Sequence, residues 1–230
     1  MWLAIDTSSS RASLAWVDPA SPHNPPDWVC HVEAGRSHNT LLFTLLADAL
    51  QQPCAARLTA VIVGTGPGSY TGTRIGIAAA IGIALQRPGT AVYPWPSCTA
   101  LLPVNSDPGT DAAESYLWLS DARRSRFALT EVRQRQMIHA AQLFTQSEAL
   151  TQCRRYLELK LPLCTSDDDP TALTGKLGLA PGQIHASRPE AALLATQVAA
   201  LSPAERSQLA AQTPNPIYLA APYVTTPKTR

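Results

Sequence analysis

Histidine is sparse in this chain: there are five in 230 residues, and no two stand at a spacing that would ligate a metal. Cysteine is equally sparse. The five (Cys30, Cys54, Cys98, Cys153 and Cys164) are odd in number and lack any C-x-x-C spacing. They read as reduced thiols of a cytosolic protein rather than a disulfide or zinc framework. Charge of either sign is nearly balanced, 18 Lys and Arg against 17 Asp and Glu, so no strong pull toward nucleic acid or an anionic membrane is built in. No apolar run approaches the ~18 residues of a membrane helix. The chain opens on a strand without a basic leader, so no targeting segment and a cytoplasmic location are expected. A Gly-x-Ser-x-Gly elbow, a Cys–His arrangement and an internal repeat are all missing. The paired basic residues Arg123-Arg124 and Arg154-Arg155 are too thinly spread to form a nucleic-acid patch by themselves.

What the chain does have is organised around residues 61–86. Val61–Val63 is a short β-branched run, the mark of a strand covered on both faces. Gly64, Gly66 and Gly68 surround Pro67 in a tight turn. Ser69 or Thr71 then caps a helix starting near Tyr70. Such a turn either cradles an anion on outward N–H groups or lets the helix pack closely on its strand. Walker A spacing fails, because Thr73 stands where Lys is needed. The dinucleotide pattern fails at Thr71. Within the helix, Gly72, Gly76 and Ala80 recur every four residues as a small-residue ridge, with Ile77, Ile81, Ala84 and Leu85 as a second, apolar stripe. Interior glycines cost about 0.5–1 kcal/mol each relative to Ala, so Gly76 and Gly82 need an offset. Close approach of another backbone, in this chain or a partner, would supply it.

From the start, Trp2–Asp6 and Arg11–Val17 read as strands joined by the hydroxyl-rich hairpin Thr7–Ser10, with Trp28–Ala34 as a third. An acidic residue ending strand one before a polar hairpin is where the actin, sugar kinase and Hsp70 class places its first phosphate loop; a side chain-stabilised turn is the plainer alternative. Ser37 caps a helix over His38–Gln52, whose Leu42, Leu45, Leu46 and Ala49 form a core stripe while Leu41, Phe43 and Leu50 lie on other faces. A helix apolar on several faces is either central or partly covered by another subunit. Thr90–Tyr93 is a strand, Ser97–Leu102 a helical turn and Pro103–Thr110 the lobe boundary. Beyond it come strands at Ser115–Leu119, Arg126–Val132, Met137–Ala140 and Leu161–Thr165, and a helix at Ser147–Leu157. The aspartates Asp167–Asp169 before Pro170 read as a solvated turn, and Pro189–Leu201 as an Ala-rich helix returning to the first lobe. The expected fold is α/β and two-lobed: residues 1–103 with the helix near 188–202, a smaller lobe at 104–187, and an extended tail at 203–230.

Several pieces together resemble one family. They are Ile5-Asp6-Thr7-Ser8, Ser37-His38 before Leu41-Leu42, Gly66-Pro67-Gly68-Ser69-Tyr70-Thr71-Gly72-Thr73-Arg74-Ile75-Gly76, Asp121-Ala122-Arg123 and the terminal Pro216-x-Tyr218-Leu219. In order and spacing they resemble TsaB, also called YeaZ, over nearly the whole chain. The resemblance implies the two-lobed ASKHA (actin/sugar kinase/Hsp70-like) fold, with mixed sheets flanked by helices. It implies a role in making N6-threonylcarbamoyladenosine at position 37 of tRNAs that read codons beginning with A. TsaB members are non-catalytic paralogues and dimer partners of the catalytic subunit TsaD, which a P-loop ATPase, TsaE, joins. The chain alone would then bind no cofactor, ATP and a metal ion being used by the partner subunits, and would meet tRNA only through the complex. TsaD holds its metal with His-x-x-x-His; Ser97 and Leu101 stand at the corresponding places here.

The resemblance further implies a partner face, for TsaD or for a homodimer, on the first two helices. Its residues would be His38, Asn39, Leu42 and Leu45 with Gly72, Thr73, Arg74, Gly76, Ile77 and Ala80. Asp6, Thr7 and Ser8 would be a vestigial phosphate loop. The sequence departs from the family after Arg123, where Arg124-Ser125-Arg126-Phe127 replaces Gly-Glu-Val-Tyr, and at Ala220. The rival class is an enzyme, a small ASKHA phosphotransferase or an M22-like peptidase.

Overall fold

The structure is a computed structural model and describes residues 1–33, 38–102 and 115–219. The first lobe is a five-stranded mixed sheet in the order β3-β2-β1-β4-β5. Its strands are β1 (Trp2–Asp6), β2 (Arg11–Val17), β3 (Trp28–Glu33), β4 (Ala60–Gly64) and β5 (Ala91–Trp95). β1 and β2 pair antiparallel as a hairpin, with Asp6 opposite Ser13, while β4 and β5 run parallel to β1. Alternation along these strands separates two cores. Leu3, Ile5, Leu14, Trp16, Val61 and Val63 face α1 (His38–Gln51) and α2 (Tyr70–Gln86). Trp2, Ala4, Ala15, Val17, Ala60 and Ile62 face α5 (Ala191–Ala200), whose Ala191, Leu194, Ala195 and Val198 fill that side. Burial on both faces explains the unbroken apolar runs.

The second sheet has the order β11-β10-β6-β7-β8, with β9 on the flank of β7. It is built from β6 (Tyr116–Asp121), β7 (Arg126–Arg133), β8 (Gln136–Met137), β9 (Gln142–Thr145), β10 (Leu163–Thr165) and β11 (Ile184–Ala186). α3 (Gln146–Glu158) and α4 (Pro170–Leu177) cover one face through Leu117, Leu119, Ala149, Cys153, Leu163 and Leu173. The other face packs Tyr116, Trp118 and Cys164 on Cys98 and Leu101 of the first lobe. The Tyr116 hydroxyl donates to the Cys98 carbonyl (2.6 Å) and the Ser187 hydroxyl to the Leu102 carbonyl (2.8 Å), tying the lobes together. The fold is therefore the expected two-lobed ASKHA type.

Local readings needed correction. Residues 203–210 are not extended but form α6 (Pro203–Ala210), because Ser202 and Glu205 make a reciprocal capping box with Pro203 in the first turn. Within Asp167–Asp169, Asp168 and Asp169 are exposed as the solvated-turn reading expects, but all three also have structural partners. Asp169 caps α4, and Asp167 is half-buried, accepting from the Ser120 hydroxyl and the Asp121 amide. Of Met137–Ala140, read as a third strand, only Met137 is in a strand, together with Gln136 before it, and the longer strand β9 follows at Gln142–Thr145. The proposed boundary at 103–110 lies outside the described residues.

Candidate functional site

The loop between β4 and α2 meets the β1–β2 hairpin so closely that no side chain fits at four positions. A Cβ on Gly64 would lie 1.9 Å from Asp6 Oδ2, one on Gly68 2.1 Å from the Ser8 carbonyl oxygen, one on Gly72 2.1 Å from the Thr7 carbonyl oxygen, and one on Gly76 2.3 Å from Thr7 Oγ1. Hydrogen bonds fasten the contact. The Ser69 amide donates to the Ser8 carbonyl (2.6 Å), and the Thr7 hydroxyl donates to the Gly72 carbonyl (2.8 Å). Ser69, not Thr71, caps α2, its hydroxyl accepting from the Gly72 amide (3.1 Å). The glycine turn thus serves close packing of helix on strand.

Asp6 is fully buried in this contact. Its Oδ1 accepts from the Ser8 amide (2.9 Å) and hydroxyl (2.8 Å). Oδ2 makes no hydrogen bond of good geometry, although the Ser97 hydroxyl approaches it. Burial pushes the Asp6 carboxyl above the ordinary carboxylate range; the hydroxyls of Ser97 and Ser8 and the Ser8 amide pull it back down, and the charge on Glu190 pushes it up. Ser97 is fully buried and accepts from the Gly66 amide (2.9 Å), while Leu101 belongs to the core between the lobes.

A cleft of about 750 Å³ opens between the lobes. The first lobe lines it with Ser8, Ser9, Ser10, Ser69 and Thr71, the second with Asp121, Arg123, Asp167 and Asp168. Asp168 is held from both sides, by the Ser10 hydroxyl and by Arg188 (2.7 Å). Behind it Glu190 pairs with Arg11 and with His31 (2.6 Å). A second depression, about 530 Å³, lies between Trp95 and Leu209, and none of the described residues lining it is ionisable. Burial pushes the thiols of Cys98, Cys153 and Cys164 up to about 12, leaving them protonated and poorly nucleophilic. Among the described residues no group of three or more His, Cys, Asp or Glu could hold a metal ion, and no helix is long and apolar enough to cross a membrane.

The profile of a family described as TsaD, tRNA N6-adenosine threonylcarbamoyltransferase, matches residues 21–218. The chain belongs to this family. Among solved structures, one described as an uncharacterized protein with similarity to peptidase YEAZ from Pseudomonas aeruginosa superposes with a TM-score of 0.62 at 19% identity, covering 95% of this chain and 99% of that one. YeaZ from Pseudomonas aeruginosa superposes with a TM-score of 0.61 at 18% identity, with the same coverage. At these identities the likeness establishes the fold. No curated protein matches the sequence. The resemblance to TsaB (YeaZ) read from the motifs agrees with both the family and the fold.

For this TsaD-family chain, the residues expected on a partner face need reassignment. Leu42 and Leu45 are buried in the core beneath α1, and Gly72, Thr73, Gly76, Ile77 and Ala80 are buried beneath α2. Gly72 and Gly76 of the small-residue ridge meet Thr7 of the same chain. The side chains of His38 and Asn39 lie outside the described residues. Arg74 is exposed, stacked 5.1 Å over the Tyr70 ring and donating to its hydroxyl (2.8 Å). The outward faces carry other residues: Phe43, read as lying off the core stripe of α1, is 60% exposed, and Leu85, read with the apolar stripe of α2, is 78% exposed, with Ala47, Ala78 and Gly82 also exposed. Among the described residues, no atom beyond its own stretch of helix lies within 4 Å of the place a Cβ on Gly82 would take. The signal was the 100° helical spacing of Arg74, Ala78, Gly82 and Leu85, opposite the buried ridge. The terminal motif returns to the same place: the Ile217 amide donates to the Thr65 carbonyl (2.8 Å), and Tyr218 stacks 5.6 Å from Tyr70.

Proposed function

We propose that this chain is a TsaB-type, non-catalytic scaffold subunit for synthesis of N6-threonylcarbamoyladenosine in tRNA, and that it acts by binding a TsaD homologue. One observation carries the reading: the polar groups at the family's reactive positions are sealed into the core. Asp6 is fully buried, with one oxygen taken by Ser8, and cannot touch a ligand in the cleft. Ser97 and Leu101, where the resemblance places the metal-binding histidines of TsaD, are buried as well. A hydroxyl and a hydrocarbon in those places do not ligate a metal as an imidazole pair does. ATP and a metal ion therefore belong to the partner subunits, a TsaD homologue and a TsaE-type ATPase, and tRNA is met through the assembled complex in the cytoplasm.

The partner face lies on the outward surfaces of α1 and α2. Phe43 and Leu85 are large apolar groups in water, and Ala47, Ala78 and Gly82 between them leave room for another helix. Gly82 costs about 0.5–1 kcal/mol relative to Ala, with no offsetting contact among the described residues. Close approach of a partner helix supplies the offset. The same face serves a homodimer when TsaD is lacking. A phosphotransferase or peptidase is disfavoured by the sealed Asp6 and the protonated thiols. Reconstitution tests the assignment: TsaD and TsaE homologues with ATP, threonylcarbamoyl donor and tRNA should modify tRNA only when this chain is added. Robust modification by this chain alone, free of TsaD, overturns it.

A further inference from the structure

Both helices of the partner face end at the same edge of the first sheet. Near the C-terminus of α1, the Ala49 carbonyl accepts from the Trp16 indole (2.9 Å), and Trp16 pairs with Leu3 at the start of β1. Just beyond α2, the Arg87 guanidinium donates to the Ala55 carbonyl (2.5 Å), a few residues after α1. The N-terminus of α2 is fastened to Ser8, past the other end of β1. The two helices therefore run parallel, side by side, over one face of the sheet. Their only Asp, Glu, Lys or Arg residues are Asp48, in the last turn of α1, and Arg74, in the second turn of α2. Both are exposed, and neither forms an ion pair among the described residues. Stacking on Tyr70 and one bond to its hydroxyl leave Arg74 most of its five N–H donors. Each charge also stands near the end of its helix that the helix dipole disfavours: a carboxylate near a C-terminus, a guanidinium near an N-terminus.

We infer that a second copy of this chain docks antiparallel on α1 and α2 about a twofold axis, with Arg74 of each copy paired to Asp48 of the other. The inference rests on the partner face proposed above and adds its polarity and register. Antiparallel docking sets the N-terminal end of one copy's α2 against the C-terminal end of the other's α1. Each misplaced charge then meets its opposite and a favourable helix end. The register also fits the apolar groups. At about 1.5 Å per residue, Phe43 lies about 7.5 Å before Asp48, and the same step along α2 from Arg74 falls between Ala78 and Gly82. The exposed ring of one copy is thereby placed over the small residues of the other, the contact that offsets Gly82. Parallel docking would set Arg74 beside Arg74 or leave both charges unpaired.

The test makes Arg74→Glu and Asp48→Arg singly in the full chain and measures self-association by sedimentation equilibrium, with melting temperature alongside. Each variant alone puts like charges at both symmetric contacts and should dimerise about tenfold more weakly or worse. Both positions are exposed, so the melting temperature of the dilute protein should hold. Mixed in equal amounts, the two variants should form a heterodimer within about threefold of wild-type affinity, because each of its contacts again joins a carboxylate to a guanidinium. Should a reversal fold poorly, Arg74→Gln and Asp48→Asn decide instead, each weakening the dimer about threefold or more. A wild-type chain that stays monomeric at every concentration, single variants that dimerise as wild type does, or a mixture that associates no better than its components overturns the inference. Leu85→Arg keeps the two readings apart. A dimer that survives it uses another surface, and this inference fails; TsaD binding by the same variant reports on the partner face itself.

Discussion

Glycine at position 72 is required by a backbone atom, and that has a measurable consequence. A methyl added there would lie 2.1 Å from the carbonyl oxygen of Thr7, which a side-chain rotation cannot move. Either α2 shifts off β1 or the hairpin deforms. Overpacking of this kind costs about 1–3 kcal/mol, while the gain in helix propensity from Gly to Ala is at most about 1 kcal/mol and is smaller in the first turn. The net cost is about 0.5–2.5 kcal/mol, so at roughly 2–4 °C per kcal/mol for a protein of this size Gly72→Ala should lower the melting temperature by about 1–10 °C. Gly76 faces a side-chain atom instead, Thr7 Oγ1 at 2.3 Å. Gly76→Ala should also destabilise, by about 1–2 kcal/mol, because it displaces the Thr7 hydroxyl from the Gly72 carbonyl. Thr7→Ala should absorb most of the Gly76→Ala penalty and none of the Gly72→Ala penalty. Gly82→Ala, with open space around it, should stabilise by up to about 1 kcal/mol. Thermal unfolding of these variants and the two double mutants completes the cycle. If Gly72→Ala and Gly76→Ala raise the melting temperature as Gly82→Ala does, the ridge does not pack inside this chain and the reasoning fails.

Two further outcomes follow from buried groups. The raised Asp6 carboxyl makes the native state prefer its protonated form, so Asp6 contributes stability below about pH 3.8 and that contribution is lost as pH rises through the native value. Asp6→Asn should therefore be more stable than wild type at neutral pH, with the gap narrowing on acidification; denaturant unfolding at several pH values shows it, and a gap that widens toward acid refutes it. Cys98, Cys153 and Cys164 should resist a thiol reagent in the native protein, leaving half-exposed Cys30 as the fast site; rapid labelling of Cys164 would show that the lobes separate.

The frame of the fold is legible in the sequence because it rests on local periodicity. The runs at 2–6, 11–17 and 60–64 announce strands, and Gly66–Arg74 announces the turn and helix. Elements missed in the second lobe are short. β9 has four residues and β11 three, and each is defined by its partner strand rather than by its own pattern. α6 carried its signal openly, in Ser202-Pro203-Ala204-Glu205, beside a Pro-rich end that read as extended. The partner face was misassigned for a physical reason. Small residues every four positions show that a helix packs closely, not on what. The fixed point was Thr7, brought against Gly72 and Gly76 by pairing between β1 and β4, a contact some 65 residues apart in the chain. Once that ridge is internal, the opposite stripe at Ala78, Gly82 and Leu85 is left facing outward.

The most direct measurement is the affinity of the Leu85→Arg variant for a TsaD homologue, with its melting temperature measured on the same sample. Leu85 is 78% exposed, so the substitution should leave folding within about 0.5 kcal/mol of wild type. A buried, unpaired guanidinium at the partner interface should weaken the complex by about 2–5 kcal/mol, a loss of roughly 30-fold or more, and tRNA modification by the reconstituted system should fall with it. A folded Leu85→Arg chain that binds TsaD as wild type does would contradict the account.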